Sequence, residues 1–188
     1  MLGTAFVAWA ADFLMKEWVL AEMTEGETRQ VLGEVLQLHF VRNPGAAFSF
    51  AAGSTWIFTL LATAVVVFIV TQLRRIRSLR WAAAFGGLLG GTLGNLTDRL
   101  TRAPGAFEGH VIDSLQVWGF PAIFNIADIF IVSSMIGIVL LVLANVGLDG
   151  VRRTDEPKPD RSKPDASKPD APKPTASAGP DDTATPTA

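Results

Sequence analysis

The feature that most constrains this chain is an uninterrupted apolar run. Between Trp56 and Leu73 no side chain is charged, and Val65-Val66-Val67-Phe68-Ile69-Val70 stand in sequence. A run of this length matches the hydrocarbon thickness of a bilayer and is long for a helix in a small soluble core. Three other stretches are comparable: about Leu2 to Leu20, about Trp81 to Thr97, and about Ile123 to Gly147. The first is a poor secretory signal, because no basic segment precedes it and Asp12 and Lys16 interrupt it. Four transmembrane helices are expected.

Charge sets their orientation. Arg74, Arg75, Arg77 and Arg80 lie between the second and third spans, and Arg152 and Arg153 follow the fourth. The positive-inside rule places both groups on the cytoplasmic side. Both termini are then cytoplasmic, and segments 21–55 and 98–122 face outward. Trp56 and Trp81 fall at span ends, where indole rings favour the membrane interface.

The first outer segment has strand character. Leu36, Leu38 and Phe40 alternate with Gln37, His39 and Val41, and Phe48 and Phe50 continue the alternation after the turn signal Asn43-Pro44-Gly45. A small sheet on the outer membrane surface is expected. The second outer segment carries Pro104, Gly105, Gly109, Gly119 and Pro121, which predicts irregular chain with at most a short helix. In the third span, Gly86, Gly87, Gly90, Gly91 and Gly94 include pairs four apart, the spacing that lets helix backbones approach closely in lipid.

These features divide the chain into a four-helix transmembrane domain over 1–150 and a tail over 151–188. The tail repeats Lys-Pro-Asp at Lys158, Lys163 and Lys168 and holds most of the eleven prolines. It lacks the apolar residues to build a core and is expected to be disordered and solvated. The net charge of −2 points to no particular partner, and no basic, aromatic-bearing surface points to nucleic acid. The absence of cysteine excludes disulfides, thiol nucleophiles and cysteine-ligated metals from this chain. His39 and His110 have no metal-ligand spacing, and His39 reads as a solvated strand residue.

Charged side chains at bilayer depth cost roughly 2.5–3.5 kcal/mol each on insertion scales, so each asks for a reason. Asp12 and Lys16 are four apart on one helix face, in the favourable order for an ion pair, and mutual neutralisation explains them. Asp98 and Arg99 are adjacent and need separate partners, whereas Asn95 and Arg99 share a face. Capping at the interface accounts for these three. Arg99 is equally suited to hold a substrate carbonyl or a lipid phosphate.

Asp128 differs from the others. It lies inside the fourth span with no basic neighbour in sequence, and Asn125 shares its face. Asp113 stands in the apolar string Val111-Ile112-Asp113, and the connection through Gly119 and Pro121 can fold back to bring the two aspartates together. Two carboxyl groups in one site cannot both ionise easily, so one keeps a proton while the other can accept one from water. That asymmetry suits an aspartic protease. A proton relay in a transporter would use similar residues.

Several motifs occur in order: Asp12 with Lys16; Asn43-Pro44-Gly45-Ala46-Ala47-Phe48-Ser49; Gly90-Gly91-Thr92-Leu93-Gly94-Asn95-Leu96-Thr97-Asp98-Arg99; Gly109-His110-Val111-Ile112-Asp113; and Phe124-Asn125-Ile126-Ala127-Asp128. With four spans, they resemble the lipoprotein signal peptidases, the bacterial type II signal peptidase family, over nearly all of 1–147. The resemblance implies an intramembrane aspartic endopeptidase with Asp113 and Asp128 as its catalytic dyad. Asn43, Gly45, Asn95, Arg99, Asn125 and Ala127 would line or brace the site, and Asp12, Lys16 and Asp98 would support it. It implies no metal or organic cofactor. The substrate would be a diacylglyceryl-modified prolipoprotein cut just before its lipidated cysteine. The outer sheet would clasp that substrate, and the enzyme would be a monomer among membrane lipids, in the bacterial cytoplasmic membrane, with its active site near the outer face. The chain departs from the family pattern in its short segment before Asp12, a longer stretch from Arg99 to Asp113, Ser114 where an aromatic residue is more usual, and the tail. An inactive homologue that binds lipoproteins would share the motifs, although both aspartates are present here.

Overall fold

A computed structural model describes residues 1–45, 55–105 and 107–153. Four helices and three strands follow in the order α1 (Leu2–Glu22), β1 (Thr28–Leu32), β2 (Leu36–Asn43), α2 (Thr55–Gln72), α3 (Leu79–Thr101), β3 (Val111–Val117) and α4 (Ile126–Leu143). The alternation expected over Phe48 and Phe50 and the 154–188 tail lie outside the described residues.

The four apolar stretches become the four helices. Of these, α2 and α4 are long and apolar enough to cross a membrane. Their surfaces expose Leu60, Leu61, Val67, Phe68, Ile136, Val139 and Leu140, a covering that water would penalise and lipid would not. The helices α1 and α3 carry charges that lower their hydropathy, and four of these turn inward: Asp12, Lys16, Asp98 and Arg99 are buried. The fourth helix is shorter than the apolar run predicts, because the chain leaves the helix after Leu143 and turns at Asn145, whose φ is +52°.

Helix α3 packs against α1, α2 and α4. Its glycines make this possible. Gly90 lies against the Ala5 carbonyl and Ala8, and Gly91 against the Ala127 carbonyl and Ile131. A β-carbon at either position would strike backbone, which cannot yield as a flexible side chain can. The close-packing reading of the glycine spacing therefore holds for both helix pairs. Ala5, Ile69, Leu88 and Leu89 form the apolar core between the helices.

The sheet is antiparallel, in the order β1-β2-β3. In it the second outer segment departs from the irregular chain expected: residues 111–117 form β3, paired along β2 with Leu38 opposite Leu115 and Val41 opposite Asp113. The glycines and prolines lie at the ends of this stretch and its centre reads Val-Ile-Asp-Ser-Leu-Gln-Val, so punctuation outside the strand obscured a run that extends normally. The buried face of the sheet packs Leu38, Phe40 and Ile112 against Val19 and Met23 at the end of α1. Burying side chains of this size stabilises by roughly 1.5–3 kcal/mol each and seats the sheet on the helix ends.

One further expectation is corrected. Trp56 is about half exposed, as an interfacial indole would be, but Trp81 is buried. Its indole N–H donates to the Val146 carbonyl at 3.2 Å, so it fastens the turn after α4 instead of facing a membrane interface.

Candidate active site

The site forms where β2, β3, the end of α3 and the start of α4 meet. On β3, Asp113 is buried beside Val41, and Asn43 lies two residues further along β2 on the same face. The chain after β3 returns immediately: Ser114 and Leu115 donate their N–H groups to the Phe124 carbonyl at 3.0 and 2.7 Å, and Phe124 donates back to Leu115 at 3.0 Å. This return places Asn125 beside Asp113 and starts α4. Asn125 is the helix N-cap, and its side-chain oxygen accepts the Asp128 N–H at 2.9 Å while the Asp128 carboxylate accepts the Asn125 N–H at 3.2 Å. The reciprocal cap fixes Asp128 in the first turn of α4.

Both carboxyl groups are then held by amides. Asp113 accepts from Asn43 Nδ2 at 2.8 Å and from Asn125 Nδ2 at 2.7 Å. Asp128 accepts from Asn95 Nδ2 at 2.9 Å. Asn125 Nδ2 also donates to Asn95 Oδ1 at 3.1 Å, so one amide chain links the two aspartates. Both aspartates line one cavity of about 490 Å³, with Asn43, Phe124, Ile129 and Val132 among its walls. Burial pushes the Asp113 carboxyl up to about 6; repulsion from Asp128 adds to this, and the hydrogen bonds from Asn43 and Asn125 oppose it.

A second layer of charge orients the first. Lys16 Nζ lies 2.7 Å from Asp12, 2.9 Å from Asp98 and 2.9 Å from Asn95 Oδ1. The contact with Asp12 Oδ2 is an ion pair without aligned hydrogen-bond geometry, whereas the one with Asn95 is a hydrogen bond. An ammonium can only donate, so it fixes which end of the Asn95 amide faces it and aims the Asn95 NH2 at Asp128. Asp12 accepts the Ala127 N–H at 2.8 Å, which ties α1 to the first turn of α4. Asp98 accepts the Ile112 N–H at 3.1 Å and so ties α3 to β3.

The site residues named from sequence, Arg99 apart, are linked in one hydrogen-bonded and ionic network. Arg99 is buried next to it, its guanidinium 5.4 Å from the Phe58 ring centre, and its Nη1 has no hydrogen-bond partner among the described residues. Gly45, at φ +124°, donates its N–H to Asn43 Oδ1 at 2.8 Å and brings the loop against Phe58 and Arg99. The remaining residues of that motif, 46–49, lie outside the described residues. Sequence reasoning missed Arg102 and Glu17. Arg102 binds the second oxygen of Asp98 and reaches Glu17 at 2.9 Å. The four-residue spacing from Asp98 was the available signal. His39 pairs with Gln116 on the sheet at 3.3 Å and His110 lies outside the carboxylate network. Among the described residues no cluster of His, Asp and Glu could hold a metal ion.

Comparison with known proteins gives the chain's relatives. Residues 4–146 match the family model for signal peptidase (SPase) II. The lipoprotein signal peptidase of Leifsonia xyli subsp. xyli is 53% identical over 152 residues, 81% of this chain and 70% of that protein. That of Rhodococcus jostii is 45% identical over 149 residues, 79% of this chain and 75% of the relative. Among solved structures, a bacterial membrane enzyme determined by the in meso method at 2.3 Å resolution superposes with a TM-score of 0.66 at 26% identity, covering 76% of this chain and 86% of that one.

Proposed function

The chain belongs to the signal peptidase II family, and from that premise we propose that it is an aspartic endopeptidase that removes signal peptides from diacylglyceryl-modified prolipoproteins. The observation that carries this reading is the pair Asp113 and Asp128, lining one cavity and held by Asn43, Asn95 and Asn125. A transporter relay needs a path for ions. A hydrolase needs two carboxyl groups at one opening, and the geometry favours the latter.

The pair shares one proton. The ionised carboxylate takes a proton from water as the water oxygen attacks the scissile carbonyl carbon. The protonated carboxyl donates its proton to the carbonyl oxygen. The tetrahedral diol then collapses, the C–N bond breaks, and a proton passes to the departing amine. The products are a signal-peptide carboxylate and a free amino group on the lipidated cysteine. Arg99 Nη1, without a hydrogen-bond partner among the described residues, would hold a backbone carbonyl of the substrate. Asp12, Lys16 and Asp98 position Asn95 and the start of α4 without touching the substrate.

All four helices span the bacterial cytoplasmic membrane in this reading. In α1 and α3 the buried charges neutralise one another while Phe6, Val7, Leu14 and Leu100 face outward. Both termini are cytoplasmic, and the dyad lies near the outer face because Asp128 is in the first turn of a helix entering from that side. Acyl chains stay in lipid while the peptide bond reaches water. The catalytic unit is 1–150, a monomer, and 151–188 is an appended tail. The test is cleavage of one purified prolipoprotein with and without its diacylglyceryl group. Cleavage of the lipidated form alone, with cysteine at the new N-terminus by mass spectrometry, is expected. Equal cleavage of the unlipidated form would contradict the substrate assignment.

A further inference from the structure

At the opposite end of the helices from the dyad, the chain after α4 builds a compact turn. Gly147 donates to the Val151 carbonyl at 2.8 Å, and Arg153 to the Asn145 carbonyl at 2.8 Å. The turn docks on the corner between α2 and α3: the Arg77 and Ser78 N–H groups both donate to the Leu148 carbonyl at 3.1 Å, and Trp81 holds Val146. Two segments distant in sequence therefore meet through backbone bonds. Between them lies a cavity of about 340 Å³ with Trp81, Val142 and Leu148 on its apolar side and Asn145 and Arg153 on its polar side.

The rim of this corner is strongly basic. Arg74, Arg75, Arg77, Arg80, Arg152 and Arg153 are all exposed, and none forms an ion pair among the described residues. The one carboxylate in the turn, Asp149, accepts the Val151 N–H at 3.0 Å. Apolar side chains project beside the arginines: Leu79 is 84% exposed and Val151 62%. A water-facing corner would gain nothing from these two residues. A corner at the boundary of headgroups and acyl chains uses both, the arginines for phosphate and the leucine and valine for hydrocarbon.

We propose that the α2–α3 corner and the turn after α4 together form a binding site for an anionic phospholipid of the cytoplasmic leaflet. The phosphate lies against Arg153 and the Arg77 side of the corner, and the chain beneath it lies along Val142 and Leu148. A general excess of basic residues on the cytoplasmic side requires only the charges. Here the hydrogen bonds of Leu148 and Trp81 fix two basic segments around one amphipathic cavity. The site rests on the proposed orientation, is remote from Asp113 and Asp128, and can fail without them.

The test uses the purified full chain in neutral detergent and native mass spectrometry, with phosphatidylglycerol and phosphatidylcholine of identical acyl chains. Retention of one phosphatidylglycerol, preferred roughly tenfold over phosphatidylcholine, is expected. Arg77→Gln with Arg153→Gln should abolish the preference, Arg77→Lys with Arg153→Lys should keep most of it, and Arg29→Gln on the sheet should leave it unchanged. Equal retention of the two lipids by the wild-type chain would overturn the site, as would a preference that survives the double glutamine variant. A preference found only in a chain ending at Arg153 would also overturn it. Cleavage of lipidated substrate in the same detergent, unchanged in the double variant, separates the site from the catalytic reading.

Discussion

At the scale of single residues, the proposed chemistry turns on one proton and one lysine. Asp113 has its carboxyl pushed up to about 6, so it holds a proton below that pH and loses it above. A dyad that needs one proton loses activity as pH rises through that region. A kcat/KM profile should fall about tenfold per pH unit above the upper apparent value, the slope of a single ionisation; a flat profile from 5 to 9 on the pH scale would contradict the shared proton. For stability the same sign holds. A carboxyl raised above its unfolded value favours the fold below its unfolded pKa, and that contribution is lost as pH rises through about 6. Lys16 acts differently. Lys16→Met leaves Asp12 buried without its cation, leaves Asp98 with Arg102 alone and frees the Asn95 amide to rotate, which should cost roughly 3–5 kcal/mol of stability. If Lys16 also positions the site, the folded fraction should show a lower kcat with little change in KM. Thermal unfolding beside single-turnover kinetics separates the two effects.

At the scale of elements, the site depends on how closely α3 can approach its neighbours. Gly94 lies against the Asp12 carboxylate, and a β-carbon there would collide with it. Gly94→Ala should therefore push Asp12 off the Ala127 N–H and destabilise by about 1–3 kcal/mol, as overpacking does. Gly137→Ala is the control, since its β-carbon would meet only Ala84, at 3.9 Å. Equal melting temperatures for the two variants would contradict the packing account. The helices were legible because each is a long apolar run, and β2 because its faces alternate. β3 was hidden: Asp113 and Ser114 are buried on a strand whose own sequence gives no alternation, and only pairing with β2 reveals why. The aspartates could be named from their apolar surroundings, but the amide chain through Asn125 and Asn95 could not, because it needs the return at Phe124. Arg102 was overlooked because it stands beyond the apolar run, where an arginine attracts no notice.

At the scale of the whole molecule, the proposed catalytic unit should work without its tail. The family match ends at residue 146 and every proposed site residue lies between Asp12 and Asp128. A chain ending at Arg153 should cleave at the wild-type rate, and a loss of tenfold or more would assign the tail a part in the reaction. Topology is equally testable, because a chain without cysteine gives no labelling background. Val31→Cys on the exposed sheet should react with a membrane-impermeant thiol reagent in intact cells, and Leu79→Cys only after permeabilisation. The reverse pattern would invert the protein and move the dyad to the wrong face.

The central claim is that Asp113 and Asp128 cleave as a pair, and the most direct measurement is a gel-shift assay on a purified diacylglyceryl-modified prolipoprotein. Wild type, Asp113→Asn and Asp128→Asn would be compared at equal folded concentration, with substrate binding measured in parallel. The account predicts cleavage by wild type alone, both variants falling by at least about a thousandfold while still binding substrate, the scale of loss when a unit of catalytic groups is broken. Near-normal turnover by either variant would contradict it.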